Sequence, residues 1–132
     1  MTLTHKEIRR FAEAYTRAWC SRSGEKVGSF FSENAKSIIN KGEITTGRAA
    51  ISEAMGAFFD EFPDLVLTMD DLRTGGNQAI FLWTLEGTNR ETGNQVRIPG
   101  WQNWVLSDAP LITEADGGYD LREYERQVKE GV

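Results

Sequence analysis

Three polar side chains of this 132-residue chain stand where they could do chemistry: Asp116, Gln102 and Tyr15. Asp116 is followed at once by Gly117 and Gly118. Alternation along a strand sends Asp116 outward with Glu114, but paired glycines often mark a bulge, and a bulge would turn the carboxylate inward. Desolvation beside Trp and Phe would then raise its pKa and make it a usable general base. Gln102 interrupts an apolar strand, and an unpaired buried amide costs about 1–3 kcal/mol, so it calls for a partner or a ligand. Tyr15 lies on the apolar face of a helix, where its hydroxyl needs a partner once the ring is buried. Other reactive types offer less. Glu86 reads as a rim or solvent acid, His5 as a surface residue in a first helical turn, and Cys20 as packing, with no basic neighbour to activate it. Arg122 to Arg126 reads as a solvated helix face.

Composition narrows the classes of function. The net charge is −5 and the fifteen Lys and Arg are scattered without a stripe, which disfavours nucleic-acid binding. One His and one Cys make no metal-ligand cluster, and the single Cys20 cannot form an internal disulfide, which suits a reducing cytoplasm. The opening MTLTHKEIRRF has no long apolar run, so neither a signal peptide nor a membrane span is expected, and no membrane partner. Four Trp and seven Phe supply material for one core, and residues 1–132 read as a single domain.

Helical patterning comes first along the chain. Thr4 and Glu7 form a capping box, followed by Ile8, Phe11, Ala12, Tyr15, Ala18 and Trp19 on one face. Gly24 is expected to break that helix, and a short second one carries Val27, Phe30 and Phe31 inward. Ala35 to Asn40 reads as a short strand. Thr46 is expected to cap a third helix, whose buried face is Ala50, Ile51, Ala54, Met55, Phe58, Phe59 and Phe62, ended by Pro63. Strands follow at Asp64 to Arg73, Gln78 to Thr88, Gln95 to Ser107 and Leu111 to Tyr119, with a Gly75-Gly76-Asn77 hairpin turn. Asp120 and Glu123 open a last helix packing Leu121, Tyr124 and Val128. Helices first and a curled antiparallel sheet after give an α+β architecture that encloses a pocket.

The segments FFSENAKSIIN, TGRAAISEAMGAFFDEFPDL, FLWTLEGTN and VRIPGWQNWVL resemble the nuclear transport factor 2-like superfamily, and within it the SnoaL-like polyketide cyclases. The likeness covers nearly the whole chain. It implies a cone-shaped curved sheet wrapped around the helices, with an apolar pocket open at one end and, commonly, dimers through the outer sheet face. This superfold hosts isomerases, cyclases, hydrolases, dehydratases and binders, so the activity does not follow from it. Compared with the ketosteroid isomerase branch, whose mechanism is an established worked case, the oxyanion Tyr falls on Tyr15, the oxyanion Asp on Gln102 and the base Asp on Ile39. The Arg and Asp of limonene epoxide hydrolases fall on Leu82 and Thr84, and the cyclases' His and Asp on Ala115 and Gly117.

By that analogy Ile80, Leu82, Thr84 and Glu86 point into the pocket and Phe81, Trp83 and Leu85 outward. On the next strand Gly100, Gln102, Trp104 and Leu106 point in, and Trp101, Asn103 and Val105 out. The expected pocket comprises Trp19, Ile39, Met55, Phe58, Phe62, Leu82, Thr84, Glu86, Trp104 and Tyr119, roomy beside the last strand and suited to a bulky, flat ligand. Phe81, Trp83, Trp101 and Val105 would form a homodimer face. The expected function is a cofactor-free isomerase, cyclase or lyase acting on a hydrophobic carbonyl compound. Tyr15 and Gln102 would hold the oxyanion and Asp116 would move the proton. The alternative is a non-catalytic binder or interaction module on the same cone.

Overall fold

The computed structural model describes residues 2–132. Helix α1 spans His5–Cys20, and Thr4 and Glu7 make the reciprocal capping box. Its apolar stripe, Ile8, Phe11, Ala12, Tyr15, Ala18 and Trp19, is buried. The helix ends at Cys20, before Gly24. That glycine instead opens the five-residue helix α2 (Gly24–Gly28) behind a Ser23 cap, because a Cβ there would collide with the α3 backbone at Ser52 and Gly56. Strand β1 (Phe31–Ile39) begins four residues earlier than expected, since Phe31 pairs with Ile112. Thr46 does not cap α3 (Arg48–Glu61). It belongs to the short strand β2 (Thr45–Thr46), and Gly47, at φ 97°, makes the helix start without a side-chain cap.

Four long strands follow: β3 (Val66–Gly75), β4 (Gln78–Thr88), β5 (Gln95–Leu106) and β6 (Ile112–Tyr119). The six strands form one sheet in the order β2-β1-β6-β5-β4-β3, with β1 parallel to β6 and every other pairing antiparallel. The chain is a mixed α+β cone: the curved sheet is unclosed, and α1 and α3 supply the side chains that fill it. Helix α4 (Leu121–Glu130) starts at Asp120, whose carboxylate accepts the Glu123 N–H. Leu121, expected to pack, is exposed, and Gln127 is the buried residue of α4, accepting the Arg97 N–H at 2.7 Å. No helix among the described residues is long and apolar enough to cross a membrane.

The register of β4 on β5 decides which side chains meet inside the cone. Phe81 faces Gln102, Trp83 faces Gly100 and Leu85 faces Ile98. Directly paired residues share a face, so Phe81, Trp83 and Leu85 point inward with Gln102. The expected facing of β4 was one residue out of phase, and such a slip inverts every side chain of the strand. Ile80, Leu82, Thr84 and Glu86 therefore lie on the outer face, where Glu86 meets Arg97 at 3.5 Å.

Candidate functional site

The cone holds an apolar cavity whose walls include Tyr15 and Trp19 of α1, Met55 and Phe58 of α3, Phe81, Trp83 and Leu85 of β4, and Gln102 of β5. Ile39, Tyr119 and Tyr124 complete its outer part. Of the pocket residues expected from sequence, Trp19, Ile39, Met55, Phe58 and Tyr119 lie on this wall. Leu82, Thr84 and Glu86 do not, for the register reason above. Phe62 and Trp104 are fully buried behind the wall rather than on it. Trp104 stacks on Phe81 with ring centroids 4.9 Å apart and meets Tyr15 edge to face at 5.1 Å.

One polar cluster penetrates this apolar interior. The Gln102 side-chain oxygen accepts the Tyr15 hydroxyl at 3.0 Å and the Trp104 indole N–H at 2.9 Å. An indole N–H can only donate, so the Trp104 contact fixes which end of the amide is oxygen. Both lone pairs of that oxygen are then used. Gln102 Nε2 makes no hydrogen bond to the described residues and is not sealed from the cavity, so its N–H groups are available there. Burial pushes the Tyr15 pKa up to about 12, with the Trp19 and Gln102 side chains opposing, so the phenol stays protonated as a donor at neutral pH.

Trp19 adds a second available donor. Its indole nitrogen is the one buried side-chain polar atom among the described residues without a partner in full hydrogen-bonding geometry; it faces the Tyr15 hydroxyl, whose pKa it holds down, without closing a well-formed bond to it. The ring packs edge-on against Phe59 at 5.2 Å and lies tilted to Phe58 at 6.0 Å, which holds it in place on the cavity wall. A donor left unpaired in an apolar interior costs about 1–3 kcal/mol, and a ligand acceptor would remove that penalty.

Asp116 is not in the site. It lies exposed on the opposite face of the sheet, paired with Asn103, among the residues of a shallow outer groove. The expected bulge at Gly117-Gly118 is absent: Gly100 to Val105 pair without interruption with Tyr119 to Glu114, and the irregularity of this pair falls between Val105 and Leu106. The space beside the last strand is likewise filled. A Cβ on Gly117 would collide with the Trp101 carbonyl and crowd Gln102, so that glycine admits the amide rather than opening a void. The free space is correspondingly small, about 50 Å³, and the expectation of a roomy pocket is overturned. No carboxylate or imidazole lies on the cavity wall among the described residues.

Sequence reasoning also missed Trp83, Phe81 and Tyr124 as cavity residues. Trp83 could have been found through Gly100: a Cβ there would run into the Trp83 ring, so the glycine marks where the indole crosses β5. Tyr124 of α4 donates to the Glu61 carboxylate at 2.8 Å and stands on the cavity wall.

A family model for the SnoaL-like domain matches residues 9–115. The chain belongs to the SnoaL-like domain family. No curated protein matches its sequence. Solved structures of the same fold include TsrD from Streptomyces laurentii, at 18% identity over 96% of this chain and 97% of that one, with a TM-score of 0.83. A putative SnoaL-like polyketide cyclase from Jannaschia sp. CCS1 aligns at 16% identity over 94% of both chains, with a TM-score of 0.79. A putative polyketide cyclase from Xanthomonas campestris pv. campestris aligns at 21% identity over 91% of this chain and 95% of that one, with a TM-score of 0.76. Identities this low establish the fold and leave the activity to the site. Ile39 and Gly117, two of the positions that the family likeness aligns with ionisable groups, stand on the cavity wall, and Ala115, a third, is buried.

Proposed function

We propose that this SnoaL-like chain binds a small, flat, apolar molecule through one oxygen acceptor, which the Trp19 indole N–H and the Gln102 amide hold inside the cone. The carrying observation is the pair of donors left available on an otherwise apolar wall: Trp19 Nε1, buried without a well-formed hydrogen bond, and Gln102 Nε2, turned to the cavity because its oxygen is already taken twice. Both are neutral, so a carbonyl or quinone oxygen suits them and no counter-charge is needed. The free space of about 50 Å³ is smaller than the ~150 Å³ that takes up a benzene ring, so only the oxygen-bearing end of the ligand enters and the rest extends out past Tyr119 and Tyr124.

Binding without turnover is the reading the cavity wall favours, because proton-transfer catalysis needs a base in reach of the ligand and Asp116 is on the other side of the sheet. The same donors favour a second reading. They would stabilise charge developing on a carbonyl oxygen, as a cyclase or isomerase requires, if the substrate brings its own base. The test is a thermal-shift and NMR panel of flat ketones and quinones against the matching hydrocarbons. Stabilisation by the oxygenated members only, with every compound recovered unchanged, supports binding. Recovery of an isomerised or cyclised product would replace that reading with catalysis, and equal stabilisation by the hydrocarbons would overturn both.

A further inference from the structure

At the mouth of the cavity the character of the wall changes. Trp83, Tyr119 and Tyr124 stand together there: Trp83 and Tyr119 at 6.1 Å with planes 64° apart, Tyr119 and Tyr124 at 5.3 Å with planes 57° apart. All three rings are only partly buried, and all three line the cavity. Rings inclined in this way do not stack on one another, so part of each π-face is left to a guest. Behind them stands the Glu61 carboxylate, bonded to the Tyr124 hydroxyl at 2.8 Å. Its negative charge, with that of Glu125, adds to burial in raising the Tyr119 pKa, which reports a negative potential over this cluster. No Lys or Arg lies on the cavity wall among the described residues to offset it.

We infer that this mouth is a subsite for an organic cation, a protonated or quaternary amine, held over the faces of Trp83, Tyr119 and Tyr124 with Glu61 as its counter-ion. Aromatic faces attract cations through the ring quadrupole, most strongly for indole, and a carboxylate one bond behind the rings adds a charge that does not need to touch the guest. The site is built by small residues as much as large ones. Gly100 lets the Trp83 indole cross β5, and Asn40 accepts the Tyr119 N–H at 2.8 Å and holds that ring's backbone at the end of β6. The chain's net charge of −5 would draw cations toward it. This subsite is independent of the Trp19 and Gln102 donors, which lie deeper.

The test uses two probes of nearly equal shape, benzyltrimethylammonium and neutral neopentylbenzene, titrated against the intact chain with tryptophan fluorescence and calorimetry. The cation is expected to bind between about three- and thirtyfold tighter, the range a partly desolvated cation–π contact supplies. Glu61→Gln keeps an acceptor for the Tyr124 hydroxyl and removes the charge. It should cut the cation's advantage several-fold and leave the neutral probe unchanged. Tyr124→Leu should reduce the advantage too, while Tyr124→Phe, which retains the ring, should keep most of it. Equal binding of the two probes by the unmodified chain would overturn the inference. So would an advantage that survives Glu61→Gln and Tyr124→Leu but vanishes in salt, since that would be the diffuse field of an acidic protein.

Discussion

Replacing Trp19 by Phe should move stability and binding in ways that an ordinary core substitution cannot. Shrinking an indole to a phenyl removes three ring atoms, and the two lost carbons alone cost about 1.5 kcal/mol at ~0.8 kcal/mol for each buried carbon. The substitution also deletes a buried N–H with no well-formed hydrogen bond, which recovers about 1–3 kcal/mol. The two effects offset, so Trp19→Phe should leave stability between about 0.5 kcal/mol lower and about 1.5 kcal/mol higher. Trp104→Phe is the matched control. It loses the same ring atoms from a fully buried site, together with a hydrogen bond to Gln102 worth about 1 kcal/mol. It should cost about 2–3 kcal/mol, or roughly 8–12 °C in Tm at ~4 °C per kcal/mol for a domain of this size. Denaturant melts of the two variants read the difference directly. For a ketone or quinone ligand, Trp19→Phe should weaken binding about two- to tenfold, the value of one hydrogen bond, and leave the matching hydrocarbon unaffected. If Trp19→Phe destabilises as much as Trp104→Phe, the Trp19 N–H is satisfied in solution and the reasoning fails.

Gly117→Ala should displace Gln102, because the new methyl meets the Trp101 carbonyl and the Gln102 side chain; a loss of about 2 kcal/mol or more in a urea melt, with weaker ketone binding, is expected. Asp116→Asn should leave both stability and ligand binding within error, since the carboxylate is exposed on the outer face, and a large loss of binding would return it to the site. Tyr15 is raised in the folded state to about 12 from an ordinary 10, so its contribution is complete below pH 10 and lost as pH rises toward 12; Tyr15→Phe should blunt alkaline unfolding followed by circular dichroism. Glu123 is held down to about 2, chiefly by Arg126, so its support of α4 is present above about pH 4.5 and lost as pH falls toward 2; Glu123→Gln should flatten the acid limb of the helical signal. Self-association, the expectation attached to the outer face, now concerns Ile80, Trp101 and Val105, which are 44%, 44% and 38% exposed; sedimentation should show a dimer that Trp101→Glu dissociates, and a monomer before substitution would remove the idea.

Much of the fold was legible because local chemistry agreed with it. The capping box at Thr4, the α1 stripe, the hairpin at Gly75 to Asn77 and the start of α4 at Asp120 are each decided within a few residues. The β5 facing was legible for the same reason: buried and exposed residues alternate without a break from Gln102 to Leu106. Strand β4 was not. Its run Ala79 to Leu85 is apolar at nearly every position, so period-2 alternation carries no phase. Only the long-range pairing of Phe81 with Gln102 supplies it. The Tyr15–Gln102 bond spans 87 residues and was reached through family likeness rather than spacing. The Tyr124–Glu61 bond spans 63 residues, and nothing near either residue announces it.

The two glycines that looked like a bulge do a different job, and that difference carries the functional argument. A bulge at Gly117-Gly118 would have added a carboxylate to the cavity. The uninterrupted ladder instead uses Gly117 to let the Gln102 backbone and side chain lie against β6, and uses Gly118 to let the Trp101 ring lie on the outer face of the same strand. An acid at position 117 would need the volume that Gln102 now occupies. Gln102 held by Tyr15 and Trp104, and a carboxylate on that strand position, are therefore alternatives and not additions. A chain that keeps the amide and its two donors has no room for a carboxylate at position 117, and its cavity wall presents neutral N–H donors with no carboxylate or imidazole among the described residues. Gly117→Asp should for this reason fail to create an acid–base site: it should unfold the β5–β6 ladder or eject Gln102, seen as loss of the Tyr15 and Trp104 hydrogen-bonded proton signals by NMR. A folded Gly117→Asp variant that retains both signals would show that the two arrangements can coexist.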